Sequence, residues 1–384
     1  MNILCLNHGD ATNPTFQKIV CSLARRAECV KVVAWDRLSR YPDSSVQDGV
    51  CYHFLMHGWG HKNKKLLLGL SMWISRILVY LLHQRPDVLW AADFWTAFPA
   101  ALATRFSHVP FIYYIHDNIS LSYDLPRWMR SILETLDSWV MKRAAAIIVP
   151  DENRILPHAE AFRAKFHILP NAPSGEMALP LKTTHSRPFT IYANGSLWDS
   201  RGIETLLLAS DCIAGCRVLL AGRIPQPWVL DSIRSRPQVD LRGSVSQSEA
   251  LDLYNESDVV FAFYDPRLPI NVRASPMKLY EAMMMGKPVI VNEETMISSK
   301  VKEWDIGYVC GYHDVESLEN LLRRIRSNLA KARLKGKRAR GLFEVEFDWR
   351  LLEPRLWQIV GKVAGHTKTA QDGVNDEANL PKLQ

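Results

Sequence analysis

The sequence predicts an α/β chain of two doubly wound domains in tandem, facing each other across a cleft. Three observations carry this. Short apolar runs alternate with amphipathic helical patterns, the rhythm of a mostly parallel sheet. A proline-rich break at 171–188 interrupts that rhythm, which then starts again. The chain has 384 residues, 47% of them hydrophobic, enough for two cores.

In the first series the expected strands are Asn2–Asn7, Val30–Trp35, Val88–Ala92, Phe111–His116, Ala146–Pro150 and His167–Pro170. Helical patterns between them include Thr15–Ala27, Trp95–Phe106 and Arg127–Arg143. The second series has strands Phe189–Ala193, Arg217–Ala221, Val239–Arg242, Asp258–Tyr264 and Pro288–Asn292. Its helices include Gly202–Cys212, Gln247–Asn255, Pro276–Met285 and Val315–Lys331. The expected domains are 1–172 and 173–348. A terminal amphipathic helix follows at 349–364, and 365–384, polar and without a hydrophobic period, reads as a disordered tail.

Net charge is +7, which suits anionic partners without choosing among them. Seven cysteines without a Cys-x-x-Cys pair suggest reduced thiols and a cytoplasmic setting. The start, Met1 to Leu6, reads as a first strand and is too short for a signal peptide. Leu66 to Leu82 is strongly apolar but is interrupted by Arg76 and two serines. A bilayer span needs about 20 mostly apolar residues. The segment therefore reads as a helix of the fold. Lys62, Lys64 and Lys65 before it, and Trp73 within it, suit a helix lying on a membrane surface.

The strongest chemical signal is Ser275-Pro276-Met277-Lys278-Leu279-Tyr280-Glu281. Ser275 suits an N-cap and Pro276 the first helical position. Lys278 then falls in the first turn, where the helix dipole disfavours a cation. A bound phosphate would reverse that cost. Glu281, one turn on, reaches hydroxyls such as those of a ribose. Gly195-Ser196-Leu197-Trp198-Asp199-Ser200-Arg201 follows the first strand of the second domain. Gly195 permits close backbone approach, and Arg201 is a second cation at a helix start. The plain alternative for each cation is a solvated side chain. Ser244 and Val245 follow another strand, where backbone can read the edge of a base or simply turn.

In the first domain His116-Asp117-Asn118 ends a strand, where groups face a cleft and can bind or deprotonate a hydroxyl. An Asp-Asn turn with a satisfied histidine is the plain alternative. Asn7-His8-Gly9-Asp10 holds a similar position. No Gly-x-x-x-x-Gly-Lys-Ser/Thr loop exists, no Gly-x-Gly-x-x-Gly follows the first strand, and no His/carboxylate cluster has metal spacing.

The blocks Gly195–Gly202, Gly243–Asp258 and Ser275–Pro288 together resemble the nucleotide-sugar half of retaining glycosyltransferases of family 4. These belong to the glycosyl transferases group 1 and have two Rossmann-like domains, the GT-B architecture. The first domain resembles the family in strand rhythm and in the His116-Asp117 pair. Trp349 onward resembles the family's terminal helix, which crosses back to the first domain. The resemblance implies that Glu281 binds the ribose and that Arg201, with the helix start at Met277, Lys278 and Leu279, meets the diphosphate. It implies sugar transfer with retention and without a metal or other cofactor. It also implies an acceptor bound by the first domain. Two departures stand out: Arg273 occupies the position of the first Glu of the family's Glu-x7-Glu motif, and Ser196 that of an Arg. Arg273 or Lys278 can replace the lost phosphate contact.

A basic chain with 12 Trp suits a lipid-linked or cell-surface glycan acceptor, with the enzyme peripheral on the inner face of a membrane. Three rivals remain at this level. A nucleotide-sugar epimerase shares the architecture but needs acid/base carboxylates around the sugar, against which Arg273 argues. A non-catalytic sugar-nucleotide-binding subunit would explain the missing Glu. A nucleic-acid binder would need a basic stripe, and Lys331–Arg340 reads instead as a solvated helix end.

Overall fold

The computed structural model describes residues 1–9, 11, 13–58, 66–177, 188–224 and 226–377, without the side chains of 66, 67 and 366–377. The chain divides into two compact units, Met1–Leu169 with Glu353–Gln384, and Pro170–Leu352.

The first unit holds an eight-stranded sheet. Its strands are β1 (Asn2–Asn7), β2 (Cys29–Asp36), β3 (Ser44–Gln47), β4 (Val50–His57), β5 (Val88–Ala92), β6 (Phe111–Tyr114), β7 (Ala146–Val149) and β8 (Phe166–Ile168). Their order is β3-β4-β2-β1-β5-β6-β7-β8. The central strands are buried on both faces, as their unbroken apolar runs require. The order reverses between β1 and β5, so their carboxyl ends flank the crevice where such sheets bind ligands.

The sequence reading omitted β3 and β4. β3 is antiparallel to β4, so this sheet is not wholly parallel. Asp48 and Gly49 join them at φ 51° and 75°, the paired positive values of a two-residue hairpin turn. The helix Leu66–Leu82 forms as expected, but Trp73 does not face outward. It is fully buried, stacks on Trp35 and donates to the Trp95 carbonyl at 3.2 Å. Among the described side chains of this helix, Leu68, Val79 and Leu82 are the exposed large apolar ones. Lys62, Lys64 and Lys65 lie outside the described residues. No helix among the described residues is long and apolar enough to cross a membrane.

The second unit holds a six-stranded sheet in the order β11-β10-β9-β12-β13-β14. Its strands are β9 (Phe189–Asn194), β10 (Cys216–Ala221), β11 (Val239–Gly243), β12 (Val259–Ala262), β13 (Val289–Asn292) and β14 (Gly307–Cys310). All its pairings are parallel. The reversal lies between β9 and β12. Two helices, Val315–Ser327 and Leu329–Leu342, replace the single one expected. Asn328, at φ −137° and ψ 62°, breaks the run, and its side chain caps the second helix at Lys331. Lys331–Arg340 is therefore not a solvated end. Ala332, Lys335, Gly336 and Ala339 are buried, and Lys335 pairs with Asp305.

The last helix runs Trp349–Glu377, well past residue 364, so the backbone through 377 is helical where the sequence suggests disorder. Adding a residue to an existing helix gains a hydrogen bond without a new nucleation cost, so a weak sequence can extend a packed one. From Glu353 the helix belongs to the first unit. Glu353 pairs with Arg25 at 3.3 Å, Trp357 lies under Arg26, and Leu356, Val360 and Val363 are buried.

Candidate active site

In the second unit the site is built at the reversal of the sheet. β9 ends at Asn194, and Gly195 turns away at φ 93°. A Cβ at Gly222, on the neighbouring strand end, would meet the Gly195 carbonyl oxygen at 1.7 Å, so these two loops pack backbone to backbone. Arg201 ends the turn Asp199–Arg201, just before the helix Ile203–Asp211. Its guanidinium lies 4.5 Å from the centre of the Tyr264 ring, beyond β12, and donates to Asn271 Oδ1 at 3.2 Å. Lys278 approaches the same ring, at 5.8 Å, and its Nζ donates to the Asn194 carbonyl at 2.7 Å. Two cations thus share one aromatic platform, an arrangement that a ring face supports electrostatically. Burial, and then Arg201, push the Lys278 ammonium down to about 7, while Glu281 pulls the other way.

The helix carrying Lys278 is Met277–Met284. It starts one residue later than expected. Pro276 is the N-cap, with extended backbone at ψ 135°, and Ser275 does not cap it. Ser275 is buried, and its Oγ has no hydrogen-bond partner among the described residues. Leu279 is buried in the core. Glu281 is held from the side: its Oε2 accepts from the Tyr254 hydroxyl at 2.9 Å, which in turn accepts from Asn194 Nδ2 at 3.1 Å. Tyr192 packs edge-on against Tyr254.

The structure therefore brings Gly195, Arg201, Lys278 and Glu281 into one cluster. Met277 opens the same helix. Arg273 caps the short helix Pro269–Val272, two residues from the Arg201 partner Asn271. Ser244 and Val245 follow β11, two strands from β9 on the same edge of the sheet. Asn194, Tyr254, Tyr264 and Asn271 were missed by the sequence reading. Asn194 and Tyr264 lie at or just beyond strand ends, the one signal that could have found them.

In the first unit the His116 and Asp117 amides both donate to Asp93 Oδ1, at 2.7 and 3.1 Å. Asp117 is 57% exposed, and its Oδ1 pairs with Nη1 of the buried Arg154 at 3.0 Å. Burial first, and then Arg154 and Lys18, hold the His116 imidazole below its ordinary range, against Asp117. His8, across the reversal, is pushed down to about 3 by burial and Arg37. Asp10 lies outside the described residues. Asp93 and Arg154 were not singled out from sequence. Among the described residues no group of three or more His, Cys, Asp or Glu is placed to hold a metal.

Two family models match the chain: a glycosyl transferase 4-like domain at residues 11–172 and glycosyl transferases group 1 at 188–328. A glycogen synthase from Mycobacterium tuberculosis is 21% identical over 72% of this chain and 68% of its own length. Among solved structures, a sucrose-phosphate synthase from Thermosynechococcus elongatus superposes with a TM-score of 0.76 at 15% identity, covering 95% of this chain and all of that one. HepE from Anabaena, in complex with UDP, gives 0.71 at 14% identity, covering 94% of this chain and all of that one. At these identities the superpositions speak for the fold, and the two family models speak for the class. The chain belongs to the glycosyltransferases of GT-B architecture.

Proposed function

We propose that the protein transfers a sugar from a nucleoside diphosphate sugar to a hydroxyl of a lipid-linked or cell-surface glycan, with retention at the anomeric carbon. The observation that carries this is the pair Arg201 and Lys278 over Tyr264 at the sheet reversal. A diphosphate leaving group gains charge as its bond to the sugar breaks. Two fixed cations and the first N–H groups of the helix Met277–Met284 stabilise that charge where it develops. Glu281, fixed by Tyr254, accepts from the ribose hydroxyls. Gly195 lets the backbone approach the phosphates. Ser244 and Val245 read the base, and Arg273 assists with the sugar or the phosphates. His116 and Asp117 orient the acceptor hydroxyl. In a front-face transfer the departing phosphate oxygen takes the proton of that hydroxyl, and the hydroxyl oxygen bonds to the anomeric carbon on the face the phosphate leaves. The HepE structure with UDP shows that a neighbour of this fold holds a nucleoside diphosphate.

An apolar acceptor is supported by a hollow of about 250 Å³ in the first unit, lined by residues that include Leu70, Trp95, Tyr123, Trp128, Met129 and Ile132. Trp128 and Ile132 are also exposed. Together with the outward Leu68 and Val79, they suit a protein that rests on a membrane surface. Flotation with anionic vesicles is expected at low salt and lost at high salt, as screening demands. Flotation that resists salt and carbonate would contradict peripheral binding.

The function is tested with a panel of nucleotide sugars, scoring released nucleoside diphosphate with candidate acceptors. Release from none of them, by a folded protein, would sink the reading. Glu281→Ala is expected to weaken nucleotide binding by about 1–3 kcal/mol, the scale of a lost charged hydrogen bond. Calorimetry decides this, and unchanged affinity with the fold intact would remove the ribose role.

A further inference from the structure

The first unit contains a carboxylate that the proposed reaction does not use. Asp93 directly follows β5 and precedes the helix Phe94–Ser107. Its φ of 64° with ψ of 169° is backbone that only glycine adopts without strain. Its position invites a capping role, yet its side chain makes no capping bond to that helix. Instead Oδ1 reaches across to the next strand end and accepts from His116 N–H and Asp117 N–H. Burial, and then Asp117, push the Asp93 carboxyl up to about 7, against the two amides and Arg154. Burial pushes the Tyr113 and Tyr114 hydroxyls up, with Asp137 adding most to the first and Asp93 to the second. Strained backbone and a half-buried carboxylate are both costs to stability, and both converge on one peptide.

We propose that Asp93 is a positioning residue for sugar transfer, its carboxylate fixing the His116–Asp117 backbone so that both side chains meet the acceptor hydroxyl. This rests on the acceptor role given to His116 and Asp117 above. The bond from Asp93 sets where the backbone leaves β6. The pair between Asp117 and Arg154 sets where the Asp117 carboxylate points. Asn118 Nδ2, donating to the Arg154 carbonyl at 2.9 Å, closes the frame.

The sign of the stability effect follows from the raised carboxyl. Between the ordinary carboxyl value of 3.8 and about 7 the folded protein holds more protons at this site than the unfolded chain. The Asp93 charge therefore costs stability increasingly over that window, and fully above it. Asp93→Gly removes the charge and the backbone strain together, and with them the acceptor oxygen. Asp93→Asn removes the charge but keeps a carbonyl oxygen, and leaves the backbone strain as it is in the parent.

The test compares both variants with the parent. Asp93→Gly is expected to melt no lower than the parent at pH 8 and to bind nucleoside diphosphate equally well. Its transfer, with the nucleotide sugar that the panel selects, should be at least about tenfold slower, since loss of orientation costs rate. Asp93→Asn should restore most of that rate. In the parent, the amide proton resonances of His116 and Asp117 should titrate with a midpoint near the 7 of Asp93. In Asp93→Gly that titration should vanish. Parent-like transfer by Asp93→Gly overturns the proposal, as does an Asp93→Asn variant as slow as Asp93→Gly. Asp117→Asn, run alongside, separates the two readings. If it transfers at the parent rate, the acceptor role itself falls. If it is slow while Asp93→Gly is fast, only the positioning role falls.

Discussion

Lys278→Met is expected to lower turnover about a hundredfold or more, the scale of removing one preorganised contact to developing charge. It should also weaken nucleoside diphosphate binding. The expectation rests on where the ammonium sits: over Tyr264, beside Arg201, and tied to the Asn194 carbonyl. Its ammonium is pushed down to about 7 by burial and then Arg201, against the ordinary lysine value of 10.5. Between these values the unfolded chain holds more protons at this site than the folded one, so the contribution of Lys278 to stability rises with pH across that window. Below about pH 7 the folded protein carries the full cost of the charge. The methionine variant should therefore gain in melting temperature relative to the parent at pH 7, and that gain should shrink as pH approaches 10. A diphosphate beside Lys278 draws its ammonium back up. Binding of UDP to the parent at pH 8 should thus take up protons, seen as a dependence of the binding enthalpy on the ionisation enthalpy of the buffer. Lys278→Met should take up fewer. If UDP binds the parent at pH 8 without proton uptake, the phosphates do not sit at Lys278.

The parts of the candidate site that were legible in the sequence are those whose chemistry conflicts with their local structure. A lysine in a first helical turn and an arginine just before another helix each oppose the helix dipole, so each asks for an anion. The strands were legible for the opposite reason. Residues such as Val289–Asn292, buried along their whole length, leave an apolar run that few other structures explain. What escaped was set by tertiary contact. Tyr264 is an aromatic residue just past a strand, and nothing local separates a platform for two cations from a core ring. Asp93 reads as an ordinary residue before a helix. The role proposed for it depends on a positive φ and on a neighbouring strand 23 residues away in sequence, and neither has a local signature. Asn328 escaped because one capping side chain outweighed a helical pattern that ran past it on both sides. The β3–β4 hairpin is a different case. Asp48-Gly49 between extended runs is a sequence signal in its own right, and the reading passed over it.

Asp117→Asn is expected to slow transfer at least about a hundredfold, the scale of a positioned catalytic group. Donor binding should be nearly unchanged, because the residues proposed to hold the donor belong to the other unit. The pair with Arg154 sharpens the test. Arg154 is 7% exposed, so removing the Asp117 charge leaves an enclosed guanidinium without that ion pair. A slow Asp117→Asn variant could therefore report a disturbed Arg154 and not a lost contact to the acceptor. Arg154→Met in the same chain separates these causes. If the only task of Asp117 is to neutralise Arg154, the double variant recovers the parent rate, since the stranded charge is gone. If Asp117 orients the acceptor, the double variant stays as slow as Asp117→Asn or slower. The coupling between the two changes, read from the four rates, decides between them. A parent-like rate for Asp117→Asn alone would leave His116 and Asp117 as a turn.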